Sequence, residues 1–201
     1  MELRVLGSSG VKVSPICLGT MLFGDQTNEK TAAAIVAMAR DAGVNFIDTA
    51  DVYVSGTSEK ITGKLIAKQR DKWVLATKVG GPFGGGVDPN QRGLSRRWIT
   101  HQLEQSLRRL RTDYIDIYYF HREDHETAFE ESLRAVEDAI RAGKIRYFGL
   151  SNFRAWRHSE VVWLCKELGM DKPVVSQPYY NALNRMPEGE GLPVCAHHGL
   201  G

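Results

Sequence analysis

The stretch from Tyr114 to Leu150, YIDIYYFHREDHETAFEESLRAVEDAIRAGKIRYFGL, contains a strand, a helix and a second strand in that order. Tyr114 to Phe120 reads as a strand rich in β-branched and aromatic residues. Thr127 to Ala142 places Phe129, Leu133, Val136 and Ile140 on one helical face and stops at Gly143. Ile145 to Leu150 is the next strand. The same alternation extends both ways. Upstream lie a hairpin (Arg4 to Gly7, then Val11 to Val13) and a strand at Ile16 to Gly19. A helix over Glu29 to Ala42 is capped by Asn28, and strands follow at Asn45 to Ala50 and Trp73 to Val79. Helices span Thr57 to Ala67 and Ser95 to Arg111, the latter with Leu103, Leu107 and Leu110 on one face. Downstream lie a helix over Ala155 to Leu168, a strand over Val174 to Tyr180 and a last helix over Leu192 to His198. Six strand–helix units without a polar linker imply an α/β fold with one parallel sheet covered by helices.

No G-x-G-x-x-G follows the first strand, so the reading favours a (β/α)8 TIM barrel with an N-terminal hairpin over an open doubly wound sheet. Such barrels take about 250 residues, and this chain has 201. We therefore expect residues 1–201 to form a single barrel domain, C-terminally incomplete, with six of eight units present.

Lys and Arg number 26 against 24 Asp and Glu, a net charge of +2. That lacks the basic excess of a nucleic-acid or anionic-membrane binder. With 42% hydrophobic and 25% charged residues, the chain can bury a globular core. No run reaches the roughly 18 apolar residues of a membrane span, and Met1 to Arg4 lacks a signal-peptide layout. The expectation is a cytoplasmic protein without membrane or nucleic-acid partners; oligomeric state is not readable. Cys17, Cys165 and Cys195 are expected to be reduced, buried apolar residues.

In a parallel barrel the chemistry sits where strands end. Strand two ends in Asp48-Thr49-Ala50-Asp51-Val52-Tyr53, strand three in Thr77-Lys78, strand four in His121-Arg122, strand five in Ser151-Asn152 and strand six at Gln177. A carboxylate, a phenol, an ammonium and an imidazole at one rim suit proton transfer to a carbonyl oxygen. Lys78 would stabilise the oxyanion of Tyr53, Asp48 would orient Lys78, and His121 would donate to the same oxygen. None of these carries a hydride, so reduction requires a cofactor, and Ser151, Asn152 and Gln177 are suited to hold a carboxamide.

These motifs resemble the aldo-keto reductases, barrel-fold nicotinamide-dependent carbonyl reductases. The resemblance runs from about Arg4 to the last residue. It rests on Leu18-Gly19-Thr20 with Phe23-Gly24, Asn45 to Ala50 leading to Tyr53, Ala76-Thr77-Lys78, Asp113 to Asp116 leading to His121, Gly143 to Arg146 leading to Gly149 to Phe153, and Gln177 with Tyr180-Asn181. It implies that Asp48, Tyr53, Lys78 and His121 are the catalytic tetrad, with Tyr53 the proton donor. It further implies that Ser151, Asn152 and Gln177 bind the carboxamide, and that Thr20, Met21 and Gln26 approach the cofactor together with Asp48. The cofactor implied is NADP(H), with NAD(H) open, and the partner a small carbonyl substrate. The family's aromatic that stacks on the nicotinamide, and its residues for the 2′-phosphate, correspond to positions after Gly201. His121-Arg122-Glu123-Asp124 is similar to the branch that includes bacterial reductases and potassium-channel β subunits, so a nicotinamide-sensing regulatory subunit with little turnover is the alternative.

Other features read as structural. His121 to His125 is a poor metal site, since alternate residues of a strand end face opposite ways. Gly80 to Gly86 reads as a mobile loop over the mouth with Phe83 against substrate. Trp98, Trp156 and Trp163 read as helix residues packed on the barrel, Arg96-Arg97 and Arg108-Arg109 as solvated helix faces, and His197-His198 as a helix end.

Overall fold

The computed structural model describes residues 1–83 and 88–201. A hairpin of β1 (Arg4–Val5) and β2 (Lys12–Val13) precedes six parallel strands: β3 (Cys17–Gly19), β4 (Phe46–Asp48), β5 (Val74–Val79), β6 (Ile115–Phe120), β7 (Ile145–Ser151) and β8 (Val175–Gln177). They lie side by side in chain order. Helices α1 (Glu29–Asp41), α2 (Thr57–Ile66), α3 (Arg96–Leu110), α4 (Phe129–Arg141) and α5 (Ala155–Leu168) form the crossovers, and α6 (Gly191–His198) follows β8. Sequential order without a reversal is the arrangement of a barrel wall, not of a doubly wound sheet. Among the described residues the sheet is open between β3 and β8.

The period of two along each strand divides the apolar residues between two layers. Ile47, Leu75, Val79, Tyr118, Phe120, Phe148 and Leu150 pack outward with the helices. Phe46, Ala76, Ile117, Tyr119 and Val175 face the other way and pack with Leu6 and Val13 of the hairpin region. Local signals set the helix starts: Asn28 accepts from the Thr31 N–H, and Ser95 from that of Trp98. The apolar stripe of α4 is buried through Phe129, Leu133 and Val136.

Several expectations are corrected. β8 stops at Gln177 instead of Tyr180, because Pro178 has no N–H for the ladder. α2 ends at Ile66 and continues as a 3-10 segment to Lys72. Of the cysteines, Cys165 is buried, Cys195 half-buried and Cys17 exposed on the open edge strand. Trp98 is buried, but Trp156 and Trp163 are exposed, turned away from the layer α5 covers. Arg109 is not a solvated face: its side chain is 12% exposed, because it pairs with the wholly buried Glu59 of α2. Residues 84–87, within the glycine-rich loop, lie outside the described residues. Phe83 is half-buried between the Trp98 ring and the Arg109 guanidinium. Among the described residues no helix is long and apolar enough to cross a membrane.

Candidate active site

Strand register builds the site. Asp48 of β4 pairs with Ala76 of β5, so Lys78, two residues on and on the same face, lies one step nearer the C-terminal rim. Its side chain is wholly buried. All three ammonium protons have partners: Asp48 Oδ2 at 2.5 Å, the Thr49 carbonyl at 2.7 Å and the Tyr53 hydroxyl at 3.2 Å. Lys78 Nζ also lies 4.8 Å from the centroid of the Tyr53 ring.

Tyr53 opens a short 3-10 segment, Tyr53–Gly56, in which Val54 and Ser55 take φ of 49° and 50°. A β-branched residue is strained there. The strain is local to the turn that swings the phenol back over Lys78. His121 follows β6; its backbone N–H bonds the Val79 carbonyl at 2.8 Å, and its ring meets that of Tyr53 edge-on at 5.8 Å. The four residues expected to form the tetrad are thus together.

Ser151, Asn152 and Gln177 lie on the same rim. Ser151 Oγ and the Asn152 N–H both bond the Gln177 carbonyl, at 2.9 and 3.2 Å. Asn152 Nδ2 donates to Ser151 Oγ and to the His121 carbonyl. Gln177 Nε2 reaches Asp48 Oδ1 at 3.2 Å, which joins this shelf to the tetrad. The side-chain amides of Asn152 and Gln177 with the Ser151 hydroxyl supply both donors and acceptors, so the set fits the carboxamide of a nicotinamide. Thr20 is placed differently from Met21 and Gln26. It is wholly buried, with its hydroxyl on the Asp48 carbonyl and Ser58, whereas Met21 and Gln26 are exposed.

Burial pushes the Asp48 carboxyl above its usual range, against the pull of the Lys78 ammonium and the Gln177 amide. Burial, reinforced by the positive charges of Lys78 and Arg122, lowers His121 to about 4. The imidazole is therefore neutral near pH 7, able to donate from one nitrogen and accept at the other. His121 Nδ1 is buried without a partner among the described residues.

Sequence reasoning missed the supports behind the strand. Thr77 points outward and donates to Glu59 Oε1 at 2.6 Å, and Arg109 binds Glu59 Oε2 at 2.5 Å. The pairing of Glu59 with Arg109 spans two helices, and no local pattern encodes it. The Gln177–Asp48 contact joins strands far apart in the chain and was equally unreadable.

The sequence profile of the Aldo/keto reductase family matches residues 15–201. Proteins named as probable voltage-gated potassium channel β subunits, from Arabidopsis thaliana and from Oryza sativa subsp. japonica, are each 40% identical over 206 residues. Each match covers all of this chain and 62% of the relative. An uncharacterized oxidoreductase of Bacillus subtilis (strain 168), YrpG, is 42% identical over 210 residues, covering all of this chain and 64% of that protein. The chain thus spans less than two thirds of the length of these relatives. A profile match across nearly the whole chain, on a sheet in barrel order, means that this chain belongs to the aldo/keto reductase family.

Proposed function

We propose that the protein is a nicotinamide-dependent oxidoreductase that reduces an aldehyde or ketone to the alcohol, with NADP(H) as cofactor. The observation that carries this reading is the buried Lys78 ammonium, held by Asp48 and directed at the Tyr53 hydroxyl. A nicotinamide held by Ser151, Asn152 and Gln177 would supply the hydride equivalent that none of these side chains can carry. Tyr53 gives its hydroxyl proton to the carbonyl oxygen, and Lys78 stabilises the phenolate left behind. Asp48 fixes the ammonium, so no reorganisation is needed as charge develops. His121, neutral, donates a hydrogen bond to the same oxygen and orients the carbonyl. Ser151, Asn152 and Gln177 hold the carboxamide, with Thr20 and Met21 nearby on the β3 side. The protein works in the cytoplasm.

The test is a titration of tryptophan fluorescence with NADPH and with NADH. Saturable quenching, tighter for NADPH, is expected; a folded protein that neither nucleotide quenches overturns the cofactor assignment. The relatives named as potassium channel β subunits favour a second reading, a nicotinamide-sensing subunit with little turnover. It predicts the same quenching with negligible aldehyde reduction.

A further inference from the structure

His121-Arg122-Glu123-Asp124 brings four titratable or charged residues together, and the reaction proposed above uses only the first. Glu123 is nonetheless specifically placed. Its side chain is 8% exposed, and Oε1 accepts the Arg154 backbone N–H at 2.6 Å. Oε2 lies 3.6 Å from Arg154 Nη1 and 3.4 Å from His125 Nε2. Arg154 is the N-cap residue of α5, and its own side chain does not cap that helix. A carboxylate from another element caps it instead, in a charge-assisted bond at the positive end of the helix dipole.

A second bond runs the same way, from turn to loop, between the same two segments. Asn152, held at a φ of 56°, donates from Nδ2 to the His121 carbonyl at 3.1 Å. The loop bearing the substrate-side imidazole and the turn bearing the carboxamide residues are therefore fastened together at two points. On its other side the loop is anchored by Asp124, whose Oδ2 accepts the Leu94 N–H at 2.7 Å.

We propose that Glu123 is a positioning residue that, through the Ser151–Arg154 turn, sets the place of His121 against the carbonyl substrate. The proposal rests on the reductase reading above. His121 and Tyr53 must reach one carbonyl oxygen, so a shift of the loop by a fraction of an ångström lowers the rate without touching the chemistry. A carboxylate that only capped α5 would stabilise that helix and act independently of His121. The two cases separate in a double-mutant cycle.

The test uses the whole protein, NADPH and 4-nitrobenzaldehyde. Glu123→Ala is expected to lower kcat/KM for the aldehyde about tenfold, the loss of one charge-assisted hydrogen bond. Glu123→Gln, which keeps an acceptor for the Arg154 N–H, stays within about threefold of wild type by the same measure. In a His121→Ala background the effect of Glu123→Ala shrinks below about twofold. Should Glu123→Ala not fold, Arg154→Pro serves in its place. A proline fits the φ of −66° at that position and deletes the donor from the other side. Equal losses in both backgrounds, or no loss from either variant, overturn the proposal while leaving the reductase reading intact. Absence of turnover in the wild type, with nucleotide quenching also absent, overturns both.

Discussion

Lys78 is the residue on which the site turns, because it is an ammonium without access to water whose three protons are all engaged. Lys78→Met leaves Asp48 buried without its counter-charge. Removing one partner of a buried pair costs about 3–5 kcal/mol, a loss that urea unfolding at pH 7 measures; a change within about 0.5 kcal/mol, the range of surface substitutions, contradicts the pairing. His121 makes a second prediction. Its folded pKa, about 4, lies below its ordinary value of 6.5. Its contribution to stability is therefore complete above about pH 6.5 and is lost as the pH falls toward the folded value, where the native state must take up a proton. An NMR titration of the imidazole should show its midpoint near 4. A midpoint at the ordinary value would mean that the ring is solvated and not in the buried position beside Tyr53. At this scale the rim positions of Asp48, Lys78 and His121 were legible, since each lies at or next to the end of a strand the sequence marks clearly. The reach of Gln177 to Asp48 was not, because it depends on how β8 comes round to β4.

Between elements, α2 and α3 approach more closely than their sequences suggest. A Cβ added at Gly63 would lie 2.3 Å from the Leu110 carbonyl oxygen. Alanine raises intrinsic helix propensity by about 1 kcal/mol, yet here it must push the helices apart at a cost of about 1–3 kcal/mol. Gly63→Ala should therefore lower the thermal midpoint; a rise would show that the helices do not touch there. That crossing also holds Glu59 and Arg109, the support behind Thr77 and Lys78. The helices themselves were readable: α5 spans Ala155–Leu168 as its pattern suggests, and the cap Asn28 holds its expected place, while Ser95, read as the first helical residue, caps α3. What local pattern left out was pairing across elements. Arg109 looks like one more surface arginine until Glu59 is brought opposite it, and Trp156 and Trp163 look like packing residues until the roll of α5 is known.

Over the whole molecule, the alternation of strands and helices predicted a parallel sheet, and the sequential strand order makes it a barrel wall. The polar rim collects at the C-terminal ends of those strands, where Asp48, Lys78, His121, Ser151 and Gln177 arrive from five consecutive strands. The turn that delivers Tyr53 was the least legible part, since left-handed Val54 and Ser55 follow from tertiary contact and not from propensity. Carbonyl reduction by this arrangement requires that the Tyr53 hydroxyl be the proton source. The direct measurement is NADPH-dependent aldehyde reduction by the whole protein and its Tyr53→Phe variant, with nucleotide binding followed in both. A general acid contributes about 10²- to 10⁴-fold. A loss of turnover of that size with nucleotide affinity little changed is therefore expected, whereas undiminished turnover by Tyr53→Phe would contradict Tyr53 as the proton source.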